Sequence, residues 1–210
     1  MCSFINLKLL MVKRIFDIIA STIGLVVLGP CMFFIAWRIR YEDGGPVFYR
    51  GERMGLNGKP FRIFKFRSMV VNAEKVGPSS TSEDDARITK IGRFLRKYKL
   101  DELPQLINVL IGDMSVVGPR PQVKWATDLY TEEEKLILTV RPGITDYASI
   151  LFHNEEEILK GSSDPDQDYL DKIHPTKTRL AMQYVQTHSF VVDMKIIFET
   201  ITSVLNKSGG

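Results

Sequence analysis

Residues 18–37 run for 20 positions without a charge, with Lys13 and Arg14 before them and Arg38 and Arg40 after. At about 1.5 Å rise per residue, such a helix just crosses a hydrocarbon core of about 30 Å. A secretory signal fits poorly, because its apolar region is shorter and ends at a small-residue cleavage site, whereas this run ends at Trp37 and arginines. A simple span fits poorly too. Lysine and arginine mark one side of a span, yet both flanks are basic. Gly29-Pro30 also falls mid-run, where proline removes an amide donor and bends a helix. The residues therefore predict a re-entrant hairpin broken at Gly29 and Pro30, with residues 1–40 as the anchor and residues 41–210 as a domain on one membrane face. Carbonyls freed at the bend need partners in lipid, and Ser21 or Thr22 could supply them.

The 210 residues leave room for one domain plus this anchor, and 44% hydrophobic content excludes a disordered or low-complexity chain. A net charge of +3 does not mark a nucleic-acid binder. Its distribution is uneven: 19 basic against 11 acidic residues up to Arg120, and 9 against 14 beyond. The first half is built to face something negative. Cys2 and Cys31 make no disulfide framework, and His153, His174 and His188 have no zinc-type spacing.

After a polar exit at residues 41–46, the runs 47–53 and 61–69 are rich in β-formers and joined across Asn57-Gly58, which predicts a β-hairpin. Gly51, Gly55, Gly58 and Lys59 match neither the P-loop nor the dinucleotide fingerprint, so they read as turn glycines. Lys65 and Arg67 are expected to share a strand face. Residues 76–85 form a polar loop, and residues 86–100 a basic amphipathic helix that reads equally as a solvated face or as one set near anionic head groups. The segment 122–130, then 131–140 opened by a Thr131/Glu134 capping box, is expected to be helical. A strand or loop at 144–151, a short acidic helix at 154–159 and a polar connection at 164–168 follow. Two helices, 175–186 and 190–205, close the chain. The last carries an apolar stripe at Phe190, Met194, Ile197, Phe198, Ile201 and Leu205.

The chemistry concentrates between residues 90 and 121. Asp101 is well placed as a helix N-cap, with Pro104 tolerated in the first turn, so a purely structural account exists. Yet Lys90, Arg93, Arg96, Lys97 and Lys99 precede Asp101 and Glu102, and a rigid Gly118-Pro119-Arg120-Pro121 turn follows. Adjacent carboxylates among arginines suit phosphate chemistry. They can hold Mg²⁺ with substrate phosphates, arginine neutralises charge bidentately, and an aspartate is a competent nucleophile towards phosphorus.

Seven blocks in order, Lys13-Arg14-Ile15-Phe16-Asp17, Gly45-Pro46-Val47-Phe48, Phe64-Lys65-Phe66-Arg67-Ser68-Met69, Leu100-Asp101-Glu102-Leu103-Pro104-Gln105, Gly112-Asp113-Met114-Ser115, Val117-Gly118-Pro119-Arg120-Pro121 and Arg141-Pro142-Gly143-Ile144-Thr145, resemble the bacterial sugar transferases, the monotopic phosphoglycosyl transferases. The resemblance implies an α+β, mainly helical fold with a re-entrant membrane helix, a small β-hairpin and amphipathic interfacial helices. The implied reaction moves a sugar 1-phosphate from a UDP-sugar to undecaprenyl phosphate, releasing UMP through a covalent aspartate intermediate and initiating bacterial glycan assembly. Implied roles are Asp101 as nucleophile, Glu102 as the neighbouring carboxylate, both as Mg²⁺ ligands, and Arg96, Arg120, Lys65 and Arg67 as phosphate-binding groups. The implied location is the cytoplasmic face of the bacterial inner membrane. A second copy or downstream glycosyltransferases are the expected protein partners, and nucleic acid is not.

Two departures stand out. Gly29 replaces the serine that many members carry before the proline. After Thr145 the chain reads Asp146-Tyr147 rather than Gly-Trp, then Phe152-His153-Asn154-Glu155 in place of an Asn-Gly-Arg stretch. This region, with Thr145, Asp146 and Tyr147 foremost, is the expected place of sugar recognition. The additional helices and domain of large members are missing, so the chain resembles a minimal catalytic unit. Two rivals use the same features: a non-catalytic membrane scaffold, and a hydrolase of nucleotide sugars.

Overall fold

The apolar run is part of one long helix, α1 (Cys2–Asp43), in a computed structural model that describes residues 2–78, 80–152 and 155–207. Helix dominates and the strands are short, as the α+β expectation has it. The break expected at Gly29 and Pro30 does not interrupt α1, which carries Pro30 in its interior. A proline inside a helix costs one hydrogen bond and a steric clash, and the flanking turns keep α1 in register across both.

The charges around the apolar run act as docking groups. Lys13 Nζ donates to the Val117 carbonyl at 2.9 Å and pairs with Asp193 at 2.5 Å. Arg14 donates to the carbonyls of Val109 and Leu110 in the last turn of a helix, where carbonyls run short of intrahelical donors. Buried Asp17 accepts from Ser115 Oγ and the Val116 amide at 3.0 and 2.9 Å. Ser21, buried, returns its hydroxyl to the Asp17 carbonyl one turn back. At the other end Glu42 accepts from the amides of Lys90 and Ile91, while Asp43 pairs with Arg67. Ile35 and Ile39 pack with Phe66 and Leu95. Both flanks of the apolar run therefore rest on one body, with Val26, Val27, Phe33, Phe34 and Trp37 exposed along its outer face.

The expected hairpin is present in two pieces. β1 (Phe48–Tyr49) pairs antiparallel with β4 (Lys65–Phe66), and β2 (Glu52–Met54) with β3 (Pro60–Arg62), in the register Arg53↔Phe61. Asn57 (φ 57°) and Gly58 (φ 68°) turn the chain between β2 and β3 as Asn-Gly was expected to. The basic helix is shorter than expected. α2 spans Lys90–Lys97, because Thr89 caps it by accepting from the Gly92 amide and Ile88 bridges to Met69 instead. α3 (Gln105–Ile111) ends at Gly112, whose φ of 99° provides the left-handed stop.

β5 (Ser115–Val117) runs parallel to β6 (Gly143–Thr145). Between them lie α4 (Lys124–Thr127) and a 3₁₀ helix, Glu134–Thr139, both shorter than the expected helices. The capping box precedes the latter, with the Thr131 amide on Glu134 at 2.8 Å and the Glu134 amide on Thr131 Oγ1 at 3.3 Å. After β6 come α5 (Tyr147–Leu151) and α6 (Glu155–Ile158), and then α7 (Pro165–Lys172) where a polar connection was expected. The signal for α7 was present: Asp164 caps it and Pro165 sits in its first turn. α8 (His174–Thr187) and α9 (Phe190–Lys207) close the chain as expected. The α9 stripe divides, since Ile197 packs against the buried cluster of Val117, Tyr184 and Ile196 while Phe198 and Ile201 face outwards; Ile196, outside the expected stripe, is the residue most deeply buried.

Candidate active site

Three elements converge on the acidic pair. Lys99, held in the left-handed region at φ 54°, reverses the chain after α2 and throws Leu100–Glu102 into a 3₁₀ turn. A non-glycine residue in that conformation costs of order 1–3 kcal/mol, and such strain collects at functional sites. The turn directs Asp101 inwards, where it is 7% exposed. Asp101 is thus not the N-cap that the sequence suggested: α3 starts after Pro104 without a side-chain cap. Its Oδ1 is buried and accepts no hydrogen bond among the described residues.

Glu102 is the opposite case. Both its oxygens are engaged, one by Lys65 from β4 at 2.9 Å, and the two together by the Arg120 fork, Nη1 on Oε2 at 3.1 Å and Nη2 on Oε1. Burial pushes the Glu102 carboxyl up, but Arg120 and Lys65 outweigh it and hold the group well below the usual carboxylate range. At Asp101 the balance reverses. Burial raises its pKa, Lys65 offsets part of that, Glu102 adds to it, and Arg96 and Lys99 oppose it. The pair is therefore split into a fully paired Glu102, held ionised at neutral pH, and a more basic Asp101 with an open oxygen, the kind of separation that assigns different roles to two neighbouring carboxylates.

Arg120 owes its position to a close strand approach. A Cβ on Gly143 would lie 2.1 Å from the Gly118 amide nitrogen, and one on Gly118 would lie 2.4 Å from the Arg141 carbonyl. Only glycine fits at this crossing. The following turn is pinned where the Arg120 amide donates to Asp146 Oδ2 at 3.1 Å.

Asp101, Glu102, Lys65, Arg96, Lys99 and Arg120 all line one cavity of about 200 Å³. Lys65, Arg96 and Arg120, expected to bind phosphate, are brought together. Arg67 is not: β4 ends at Phe66, so strand alternation stops there, and the Arg67 guanidinium is spent on Asp43 with its Nε on the Pro46 carbonyl. The three residues expected to read the sugar are also occupied elsewhere. Thr145 shares a hydrogen bond with Thr200. Asp146 caps α5 through the Ser149 amide and holds Arg120. Tyr147 packs beside Val117, Tyr184 and Ile196. His153 and Asn154 lie outside the described residues. Gln105, 1% exposed, was not singled out in the sequence, yet it lines the cavity four residues after Asp101, and its Nε2 is unpartnered among the described residues.

As a Mg²⁺ site, the donor set is sparse. Among the described residues no cluster of three His, Cys, Asp or Glu side chains could hold a metal. Within the pair only Asp101 has an oxygen to offer, because those of Glu102 are taken by cations. That fits an ion carried mainly by substrate phosphates, the usual habit of Mg²⁺, and not one caged by protein.

A family model described as bacterial sugar transferase matches residues 8–207. The chain is 34% identical to the exopolysaccharide production protein ExoY of Sinorhizobium fredii (strain NBRC 101917 / NGR234), over 94% of this chain and 87% of that protein. It is 37% identical to the UDP-glucose:undecaprenyl-phosphate glucose-1-phosphate transferase of Escherichia coli (strain K12), over 91% of this chain and 39% of that longer one. It is also 36% identical to the undecaprenyl-phosphate galactose phosphotransferase of Salmonella typhimurium (strain LT2), over 94% of this chain and 41% of that one.

Proposed function

The chain belongs to the bacterial sugar transferase family, and from that premise we propose that it moves a sugar 1-phosphate from a UDP-sugar to undecaprenyl phosphate, with Asp101 as the transient carrier. The observation that carries this reading is the buried, unpartnered Asp101 Oδ1 in a cavity otherwise rich in cations. An Asp101 oxygen attacks the phosphorus that bears the sugar. The bond from that phosphorus to the bridging oxygen breaks, and UMP leaves with the electron pair. A phosphate oxygen of the lipid then attacks the same phosphorus and releases the Asp101 carboxylate.

Arg120, Lys65 and Arg96 supply the positive field for the three phosphates involved. Glu102 holds Arg120 and Lys65 in place, which makes it a positioning residue in this scheme. Mg²⁺, bound with the donor diphosphate and an Asp101 oxygen, would screen the negative charge that the carboxylate meets. The test is UMP release from a panel of UDP-sugars with Mg²⁺ in detergent, with and without undecaprenyl phosphate. Release that depends on the lipid, with appearance of lipid diphosphosugar, is expected. Release that ignores the lipid and yields free sugar phosphate would make the protein a hydrolase, and no release from any donor would remove the transferase reading.

The same proposal includes a monotopic topology in which α1 keeps both flanks of its apolar run on the cytoplasmic face. A spanning helix has its ends on opposite sides, whereas Lys13 to Asp17 and Glu42 to Asp43 both dock on one body. Basic residues flank both ends, as expected of a segment whose two ends stay in the cytoplasm. With Cys2 and Cys31 replaced by serine, single cysteines at Met11 and Tyr41, both exposed, are expected to react with an impermeant maleimide from the same side of sealed vesicles. Labelling from opposite sides would overturn the topology.

A further inference from the structure

The cavity extends past the cations to a second wall that the reaction scheme leaves unused. There α6 contributes Glu155 and α8 contributes Lys177, paired at 2.5 Å. The Lys177 ammonium lies 5.2 Å from the centre of the Tyr169 ring, and Trp125 meets Tyr169 edge to face at 6.4 Å. The Tyr169 hydroxyl donates to Gln122 at 3.0 Å. Glu155 acts electrostatically on Arg120, and Arg120 on Lys177, so the charges alternate along the cavity from Lys65 through Glu102, Arg120 and Glu155 to Lys177. Lys177 is buried, and burial lowers its pKa against the pull of Glu155.

We propose that Glu155 and Lys177, with the Trp125 and Tyr169 rings beside them, form the subsite for the hexose of the nucleotide-sugar donor. This rests on the transferase reading. In such a donor the sugar is joined through one oxygen to the phosphorus under attack, while the nucleoside lies one phosphate further away. The hexose must therefore sit next to the Asp101–Arg120 cluster, and this wall does. The chemistry suits a hexose as well. Each sugar hydroxyl both donates and accepts, so a carboxylate and an ammonium side by side can bind neighbouring hydroxyls. The half-buried Trp125 ring, braced against the buried Tyr169, can cover the C–H side of the sugar. Trp125 and Tyr169 stand edge to face, which leaves no parallel slot for a flat base. A site that reads hydroxyls through buried polar groups also discriminates strongly among sugars, because a wrong epimer leaves those groups unpaired.

The test compares Glu155→Gln with the wild-type full-length chain in detergent, titrating UDP, which has no sugar, and four donors: UDP-glucose, UDP-galactose, UDP-N-acetylglucosamine and UDP-N-acetylgalactosamine. For whichever donor the wild type binds, Glu155→Gln is expected to weaken affinity by roughly tenfold or more while UDP stays within about twofold. If Glu155→Gln does not fold, Glu155→Asp keeps the charge, withdraws it by one methylene and is expected to show the same split. Donor and UDP weakening in step would make this a nucleotide subsite and overturn the proposal, as would no change in either. A wild type that bound neither UDP nor any donor would remove the transferase reading itself, and the subsite with it.

Discussion

Asp101→Asn is expected to abolish turnover, by roughly 10³-fold or more, while leaving the protein as stable as the wild type or more so. The two halves of that result have one cause. Asp101 caps no helix, and its Oδ1 accepts no hydrogen bond among the described residues. Burial, the largest influence on it, raises its pKa in the folded protein. A carboxyl whose folded pKa lies above its unfolded value opposes folding once pH exceeds both, and ceases to do so in acid, where both states are protonated. Asparagine has the same shape without the charge, so it removes that cost at neutral pH. Thermal melts in detergent should place the variant at or above the wild type at pH 7, with the two converging as the pH falls. Turnover within about tenfold of wild type would refute the nucleophile assignment. A large fall in melting temperature would mean that Asp101 holds the fold together, and the loss of activity would then say little about chemistry.

Much of this site was legible before the structure. The Leu100–Gln105 block, the Gly118–Pro121 turn and the strand bearing Lys65 each pointed to a residue that now lines the cavity. What escaped notice depends on backbone choices that the residue types do not advertise. Lysine is a poor marker of a left-handed joint, so Lys99 gave no sign that Asp101 would be turned inwards and not set at a helix start. Arg67 follows Lys65 by two positions, but the strand ends between them. Arg14 read as the edge of an apolar segment and Glu42 as part of a polar exit, and neither they nor Asp17 pointed to a docking role, because their partners at residues 109, 90 and 115 are distant in sequence. Glu155 and Lys177 lie more than fifty residues beyond the dyad. No local pattern ties them to it; they reach the cavity from α6 and α8, where they meet as an ion pair.

Arg120→Met is expected to cost both activity and stability, and the two losses can be separated. The substitution strips Glu102 of its fork and leaves a buried carboxylate with Lys65 as its remaining ion-pair partner. Breaking a buried pair from one side costs about 3–5 kcal/mol, and the lower end, about 3, applies here because the Arg120 side chain is 28% exposed. In a chain of this length that corresponds to a fall in melting temperature of about 10 °C. Because much of the penalty belongs to the stranded carboxylate, adding Glu102→Gln to Arg120→Met should restore part of the stability, held back by the buried Lys65 that then loses its own ion-pair partner, and none of the turnover, which needs cations at the phosphates. Arg120→Lys should fold better than Arg120→Met but bridge only one oxygen, so its activity should remain well below wild type. The pH dependence supplies an internal check. Glu102 has its folded pKa held well below 4.5, so its pairing stabilises the protein fully above the unfolded value and is lost as pH falls towards the folded one. Wild-type melts should be flat in this respect between pH 7 and about 5, then drop towards those of Arg120→Met, whose own acid dependence should be shallower. Parallel acid profiles would show that Arg120 stabilises the fold through contacts other than Glu102.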